Sequence, residues 1–233
     1  MPIAKELRIC SLGEFLEFLG AQSDDSYIYR GHRRAEWPLR PCLFRARPRP
    51  PSTVNELRFV EAILLRKFKE TVRLVLNVLP KDDWEWLALA QHHGLLTRLM
   101  DWTENPLVAL FFAVEKTNDG DSAVWCAEPH AAAYGEWGSP FDIKEVLVVH
   151  LPHVSSRITV QKGVFTVHPI PEKPSQEWPF LLTKIVVDGS RRVAIRNDLR
   201  RLGMDRGSLF PDVDGIAQGL NSSLCIIEQD EES

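Results

Sequence analysis

The sequence predicts an α+β fold, with an early helical layer packed on a small, mostly antiparallel sheet and the functional site at their junction. Three observations predict it: capped amphipathic segments crowd the first half, an apolar helix opens at Asn105-Pro106, and short β-branched runs fill much of the second half. No internal repeat and no Pro/Gly/Ser-rich linker divides the 233 residues. Residues 1–227 therefore read as one domain, followed by an acidic tail over 228–233 that reads as disordered.

Ser11 and Glu14 have capping-box spacing for a short helix reaching Leu19. Residues 26–31, Ser-Tyr-Ile-Tyr-Arg-Gly, alternate as a strand does and end in Arg30-Gly31. Five prolines and six arginines between His32 and Ser52 mark a loop. Thr53 and Glu56 cap a second helix, and apolar residues from Leu57 through Val72, Val75, Leu76 and Leu79 keep helical spacing, so a long helix is expected over 54–79. Asp82 caps a third helix, stopped near His92 by Gly94, and the two form a hairpin across Pro80-Lys81.

Asn105 suits the N-cap and Pro106 the first helical position of the next helix, whose residues to Val114 are too apolar to face water on any side. That helix is expected to be buried, with its N-terminal N–H groups free to receive an anionic ligand. Residues 123–127, 145–151, 157–160, 164–167 and 183–187 read as strands. Ser190 caps a helix to Leu202, and a last short helix is expected over 211–220.

A net charge of -4 excludes a wholly basic nucleic-acid binder, so any nucleic-acid site must be a local patch. The segment from Arg30 to Arg49 supplies one, with seven arginines against the single acid Glu36. RNA or DNA contact through residues 33–49, with Arg33 and Arg49 at its ends, is one reading of this loop. Arg191, Arg192, Arg196, Arg200 and Arg201 form a second basic stretch, read as a solvated helix face balanced by Asp188, Asp198 and Asp205.

Cys10, Cys42, Cys126 and Cys225 show neither CxxC spacing nor a dense framework, which points to free thiols in a reducing compartment, with no disulfide and no zinc. His92 and His93 are adjacent, so on a helix they diverge by about 100° and do not make a metal pair. The longest apolar run, from Leu107 to Val114, falls far short of the ~20 residues that span a bilayer. A cytoplasmic protein without membrane contact is expected. Walker A, G-x-G-x-x-G, G-x-S-x-G and H-E-x-x-H patterns do not occur.

Arg30 has two readings: a fixed guanidinium that pairs bidentately with an anion, beside a glycine that lets a ligand approach, or a structural salt bridge to Asp101. His92 is either an acid or base in a cleft or a satisfied helix-end histidine. Trp84, Trp86, Trp125 and Trp178 are assigned to the core, whereas Trp102, with polar neighbours, is assigned to stacking on a base or nicotinamide ring.

Tyr29-Arg30-Gly31, Ala90-Gln91-His92-His93-Gly94 and Thr97-Arg98-Leu99-Met100-Asp101-Trp102-Thr103 resemble the FRG domain, a family named for its Phe/Tyr-Arg-Gly motif. The likeness continues at Gln161-Lys162-Gly163-Val164-Phe165-Thr166 and Ser208-Leu209-Phe210-Pro211-Asp212, covering most of residues 24–220 around a motif core of about 24–128. The order of elements also resembles an ADP-ribosyltransferase, in which an Arg-Gly on an early strand contacts NAD and a later polar segment precedes a helix ending in Phe-Ala.

That resemblance implies an ADP-ribosyltransferase-like fold and an enzyme that uses NAD as substrate, without a metal, to modify a protein or nucleic acid. It also implies the setting of a bacterial toxin or antiphage effector under a regulatory protein partner. Tyr29, Arg30 and Gly31 would hold the dinucleotide; Thr97, Arg98, Asp101 and Thr103 would line the pocket; Trp102 would stack, and Gln161 would address the ribose. Gln161 stands where such enzymes carry a glutamate. An amide can orient a hydroxyl but cannot neutralise a developing cation, so Asp101 is the first candidate for that charge. The alternative is a non-catalytic module that recognises a nucleotide, nucleic acid or partner protein.

Overall fold

The structure, a computed structural model, describes residues 5–22, 26–45, 53–116, 120–129, 138–151, 156–170 and 178–223. Among the described residues, seven strands form one sheet: β1 Lys5–Ile9, β2 Ile28–His32, β3 Leu99–Thr103, β4 Ser122–Glu128, β5 Leu147–Val149, β6 Gly163–Val167 and β7 Leu181–Val187. Their spatial order is β1-β7-β4-β2-β3-β6-β5. Only β1 and β7 run parallel, so the sheet is mostly antiparallel as expected, but it is larger than expected. The sequence reading passed over β1 and β3. In β3 the alternation is hidden because Leu99, Met100, Trp102 and Thr103 are buried on both faces and only Asp101 is exposed.

Eight helices surround the sheet among the described residues: α1 Leu12–Gly20, α2 Val54–Val72, α3 Asp83–His92, α4 Pro106–Val114, α5 Ser156–Val160, α6 Arg192–Arg201, α7 Arg206–Leu209 and α8 Val213–Ser223. Four N-caps form as the sequence indicates. The side chains of Ser11, Thr53, Asp82 and Asn105 accept from Glu14, Glu56, Glu85 and Leu107 N–H groups at 3.2, 3.1, 2.9 and 3.0 Å.

The long helix expected over 54–79 stops at Val72. Lys69 Nζ lies 2.5 Å from Asp83 Oδ1, so the start of α3 lies level with position 69 of α2, and the stretch just beyond Val72 has little to pack against apart from Leu76, which still touches the core. Leu74, Val75 and Val78 are accordingly 91, 75 and 81% exposed. Residues 157–160, expected as a strand, are helical in α5, and the last helix is α8 at 213–223. Asp188, rather than Ser190, caps the turn that leads into α6.

Nor is α6 a merely solvated basic face. Buried Arg192 donates to the carbonyls of Ala113 and Lys116 at 3.1 and 2.6 Å, and Arg196 donates to that of Glu115 at 3.1 Å. These arginines satisfy the orphan carbonyls at the C-terminus of α4 and complement its dipole.

Residues opposed in register share a face, and one face carries two separate cores. Ile9, Tyr29, Val124, Cys126, Ile185 and Val187 pack under α1, α4 and α6, while Leu99, Leu147, Val149, Phe165 and Val167 pack under α2 and α3. The helical layer is therefore split in two rather than being one early layer, and the site lies in the gap. A single apolar layer covers the opposite face, where Ile28, Met100, Trp102, Trp125, Val148, Val164 and Leu182 meet Leu39, Trp178 and Phe180. α4 is buried at nearly every position, as expected, and each large side chain it buries contributes about 1.5–3 kcal/mol. No helix among the described residues is long and apolar enough to cross a membrane.

Candidate functional site

β2 and β3 are joined through a single residue pair, Tyr29 with Thr103, and then diverge. Arg30 fills the opening. Its Nη1 donates to the backbone carbonyl of Asp101, and its Nε donates to His32 Nε2 at 3.2 Å. Asp101 Oδ2 lies 3.7 Å from Arg30 Nη1 and accepts a hydrogen bond from Gln91 Nε2 at 2.8 Å. The salt-bridge reading of Arg30 holds, since it pairs with Asp101, and the same side chain also lines a hollow.

That hollow has a volume of about 560 Å³, and Arg30, Asp101, Gln161 and His92 all line it. The volume lies in the range of small-molecule sites. Six cationic side chains, Arg30, Arg33, Arg45, Lys116, Arg157 and Arg206, face two carboxylates, Asp101 and Glu115, so a positive cleft is set into a chain of net charge -4. Burial lowers the pKa of Arg30, against the pull of Asp101. Burial, followed by Arg30 and Arg45, pushes the His32 imidazole down to about 3, so it is neutral at physiological pH. Burial, with His93 adding to it, also lowers His92, which suits a proton acceptor.

Other expected site residues lie elsewhere or are committed to the fold. Arg98 is buried and pairs bidentately with Glu61, at 2.8 Å from Nε to Oε1 and 2.5 Å from Nη2 to Oε2, with Nη1 donating to the Pro140 carbonyl at 3.1 Å. It does not line the cleft. Thr97, also buried, donates to Gln91 Oε1 at 2.5 Å and supports Gln91 from behind. Trp102 is no stacking platform. Its ring lies in the apolar layer against Trp178, and its Nε1 donates to Thr166 Oγ1 at 2.9 Å.

Thr103 reaches the cleft wall, but its hydroxyl donates to the Gln161 carbonyl at 2.6 Å and accepts from Asn105 N–H at 3.0 Å. Tyr29 donates its hydroxyl to Gln22, and burial raises its pKa. Gly31 serves a helix rather than a ligand, because a side chain there would fall on the Ala109 carbonyl and the Ala113 amide of α4. Gln161 Nε2 is tied to the Leu209 carbonyl at 2.9 Å. The N-terminus of α4 is likewise closed as an anion site: the Asn105 side chain takes the Leu107 N–H, and its carbonyl takes those of Val108 and Ala109.

Sequence reasoning missed Arg157, Arg206 and Phe210. The Arg157 and Arg206 guanidinium carbons lie 4.2 and 4.4 Å from the centroid of the Phe210 ring. Arg157 was hidden in a segment read as a strand, whereas Phe210 lay within a motif already noticed.

Among known families, the model of the FRG domain matches residues 25–122. That segment carries an FRG domain. No curated protein and no solved structure matches the chain. The FRG match runs from the approach to β2 to the start of β4 and so contains Arg30, Gln91, His92 and Asp101, one wall of the cleft. The facing wall, with Arg157, Gln161, Arg206 and Phe210, comes from outside the matched FRG segment.

Proposed function

We propose that this FRG domain binds NAD in the cleft between β2 and β3 and transfers its ADP-ribose to a macromolecule, as an ADP-ribosyltransferase-like enzyme. The observation that carries the reading is the placement of Arg30 and Asp101 together in a cationic cleft of about 560 Å³. A dinucleotide brings a doubly charged pyrophosphate, for which the arginines are suited, and a ribose whose reaction needs a carboxylate.

In the reaction, the bond between the ribose C1′ and the nicotinamide nitrogen breaks. Nicotinamide keeps the electron pair and leaves neutral, while positive charge grows on the ribose. Asp101, half-exposed and held by Gln91, supplies the carboxylate for that charge in this reading. Gln161 cannot do so, because it bears no charge and its amide nitrogen is already used. The acceptor nucleophile then bonds to C1′, and its proton passes to neutral His92 or to water. A toxin or antiphage role belongs to the same proposal and rests on the family resemblance.

Calorimetric titration with NAD, paired with an assay for released nicotinamide, tests this. The wild type should bind and release, and Asp101→Asn should bind while releasing at least about a hundredfold more slowly. Absence of NAD binding refutes the proposal. Binding without release by the wild type favours the second reading, a nucleotide-recognition module, for which the Gln161 substitution is the supporting observation.

A further inference from the structure

Of the arginines in the cleft, Arg157 is placed most unusually. α5 sets it on the wall opposite Arg30, half-buried, with its guanidinium over Phe210. Arg206 lies over the same ring but is neutralised by an ion pair with Glu115, and Arg30 is engaged by the Asp101 carbonyl. Asp101, Asp212 and Glu115 all attract Arg157, yet among the described residues none forms an ion pair or a hydrogen bond with it.

A guanidinium carries five N–H donors. Partial burial without a hydrogen-bonded partner is unfavourable, and the positive neighbour Arg206 makes it more so. The aromatic ring fixes the plane of the fork and leaves its edge for a ligand. Such an arrangement is stabilised by an oxyanion that accepts two parallel hydrogen bonds. The surplus of cations around the cleft favours the more highly charged phosphate over a carboxylate.

We propose that Arg157 is the phosphate-binding residue of this cleft, with Phe210 and the Arg206–Glu115 pair acting as positioning residues that hold its guanidinium. The inference rests on the cleft being the ligand site proposed above, but not on the ligand being NAD. Should NAD be the ligand, Arg157 takes its pyrophosphate while Arg30 and Asp101 attend to the ribose side.

The test is calorimetric titration of the full chain with inorganic pyrophosphate, with malonate as the carboxylate comparison. The wild type should bind pyrophosphate more tightly than malonate. Arg157→Gln should weaken pyrophosphate by about tenfold to a hundredfold, and Arg157→Lys, which keeps charge but loses the fork, should fall between. Circular dichroism of both variants should match the wild type and the urea midpoint should change little, since among the described residues the Arg157 side chain has no hydrogen bond to lose and gives up only its contact with Phe210. No pyrophosphate binding by the wild type, equal affinity in Arg157→Gln, or malonate binding as tightly would each overturn the assignment. Binding of pyrophosphate that depends on Arg157, without binding of NAD, would sustain this subsite and refute the dinucleotide reading alone.

Discussion

Replacing Glu61 by Ala would isolate one charge in the interior, and the structure allows the cost to be worked out. Glu61 and Arg98 are each only 3% exposed, and they meet through two hydrogen bonds, with Nη1 of Arg98 further bonded to the Pro140 carbonyl. Glu61→Ala leaves a buried cation without its counter-ion, at a cost of about 3–5 kcal/mol. For a domain of this size that is a fall in Tm of roughly 6–20 °C. Glu61→Leu combined with Arg98→Met removes both charges and replaces them with apolar volume, so the double variant should lie within about 2 kcal/mol of the wild type, the lost Pro140 bond included. Urea denaturation of the single and double variants measures this, and pyrophosphate titration of the double variant should be unchanged because Arg98 is absent from the cleft. A single variant that loses less than about 1 kcal/mol, or a double variant as unstable as the sum of its parts, would refute the reasoning.

Further outcomes follow from the same geometry. Gly31→Ala places a methyl on the backbone of α4 and should cost about 1–3 kcal/mol or more in urea denaturation, since neither β2 nor α4 can yield alone. Trp102→Phe removes the bond to Thr166 and should cost about 1–2 kcal/mol of stability without changing affinity for pyrophosphate or NAD. His32 titrates at about 3 in the folded protein against about 6.5 unfolded, so below about pH 6.5 only the unfolded chain takes up that proton. Its contribution is full above that pH and falls as the pH drops, by up to about 1.4 kcal/mol per pH unit. His32→Asn should therefore flatten the decline in stability between about pH 7 and about pH 5, and identical slopes would contradict this assignment.

Much of the fold was legible because its signals are local. Ser11, Thr53, Asp82 and Asn105 announce helices within four residues of their own positions, and the β-branched runs ending at Val167 and Val187 declare strands. What was not legible depends on contacts far along the chain. Val75 and Leu79 have the spacing of a helix, but whether they form one depends on where α3 begins to cover α2. Arg98 and Trp102 sit among polar neighbours in sequence, yet Glu61 and Thr166, 37 and 64 residues away, claim their polar atoms.

The same holds for the site. Arg30 and Asp101 stood out because each lies in a short motif, on strands β2 and β3 that the sheet sets side by side, whereas Arg157 is marked only by its contact with Phe210. The role of Gln161 was read from its chemistry, but its amide nitrogen was already engaged by Leu209. The arginines of α6 carry no sequence mark that tells a helix cap from a solvated surface.

The junction at Tyr29 and Thr103 has one further consequence. Across it the two halves of the sheet share one rung of main chain, while on the reverse side Trp125, Ile28, Trp102 and Val164 bridge them in a continuous apolar seam. Across this junction the halves are therefore held more by side-chain packing than by the main-chain ladder. Widening the mouth would break the Tyr29–Thr103 rung and the bond from Arg30 to the Asp101 carbonyl, whereas separating the halves would also expose the whole seam to water.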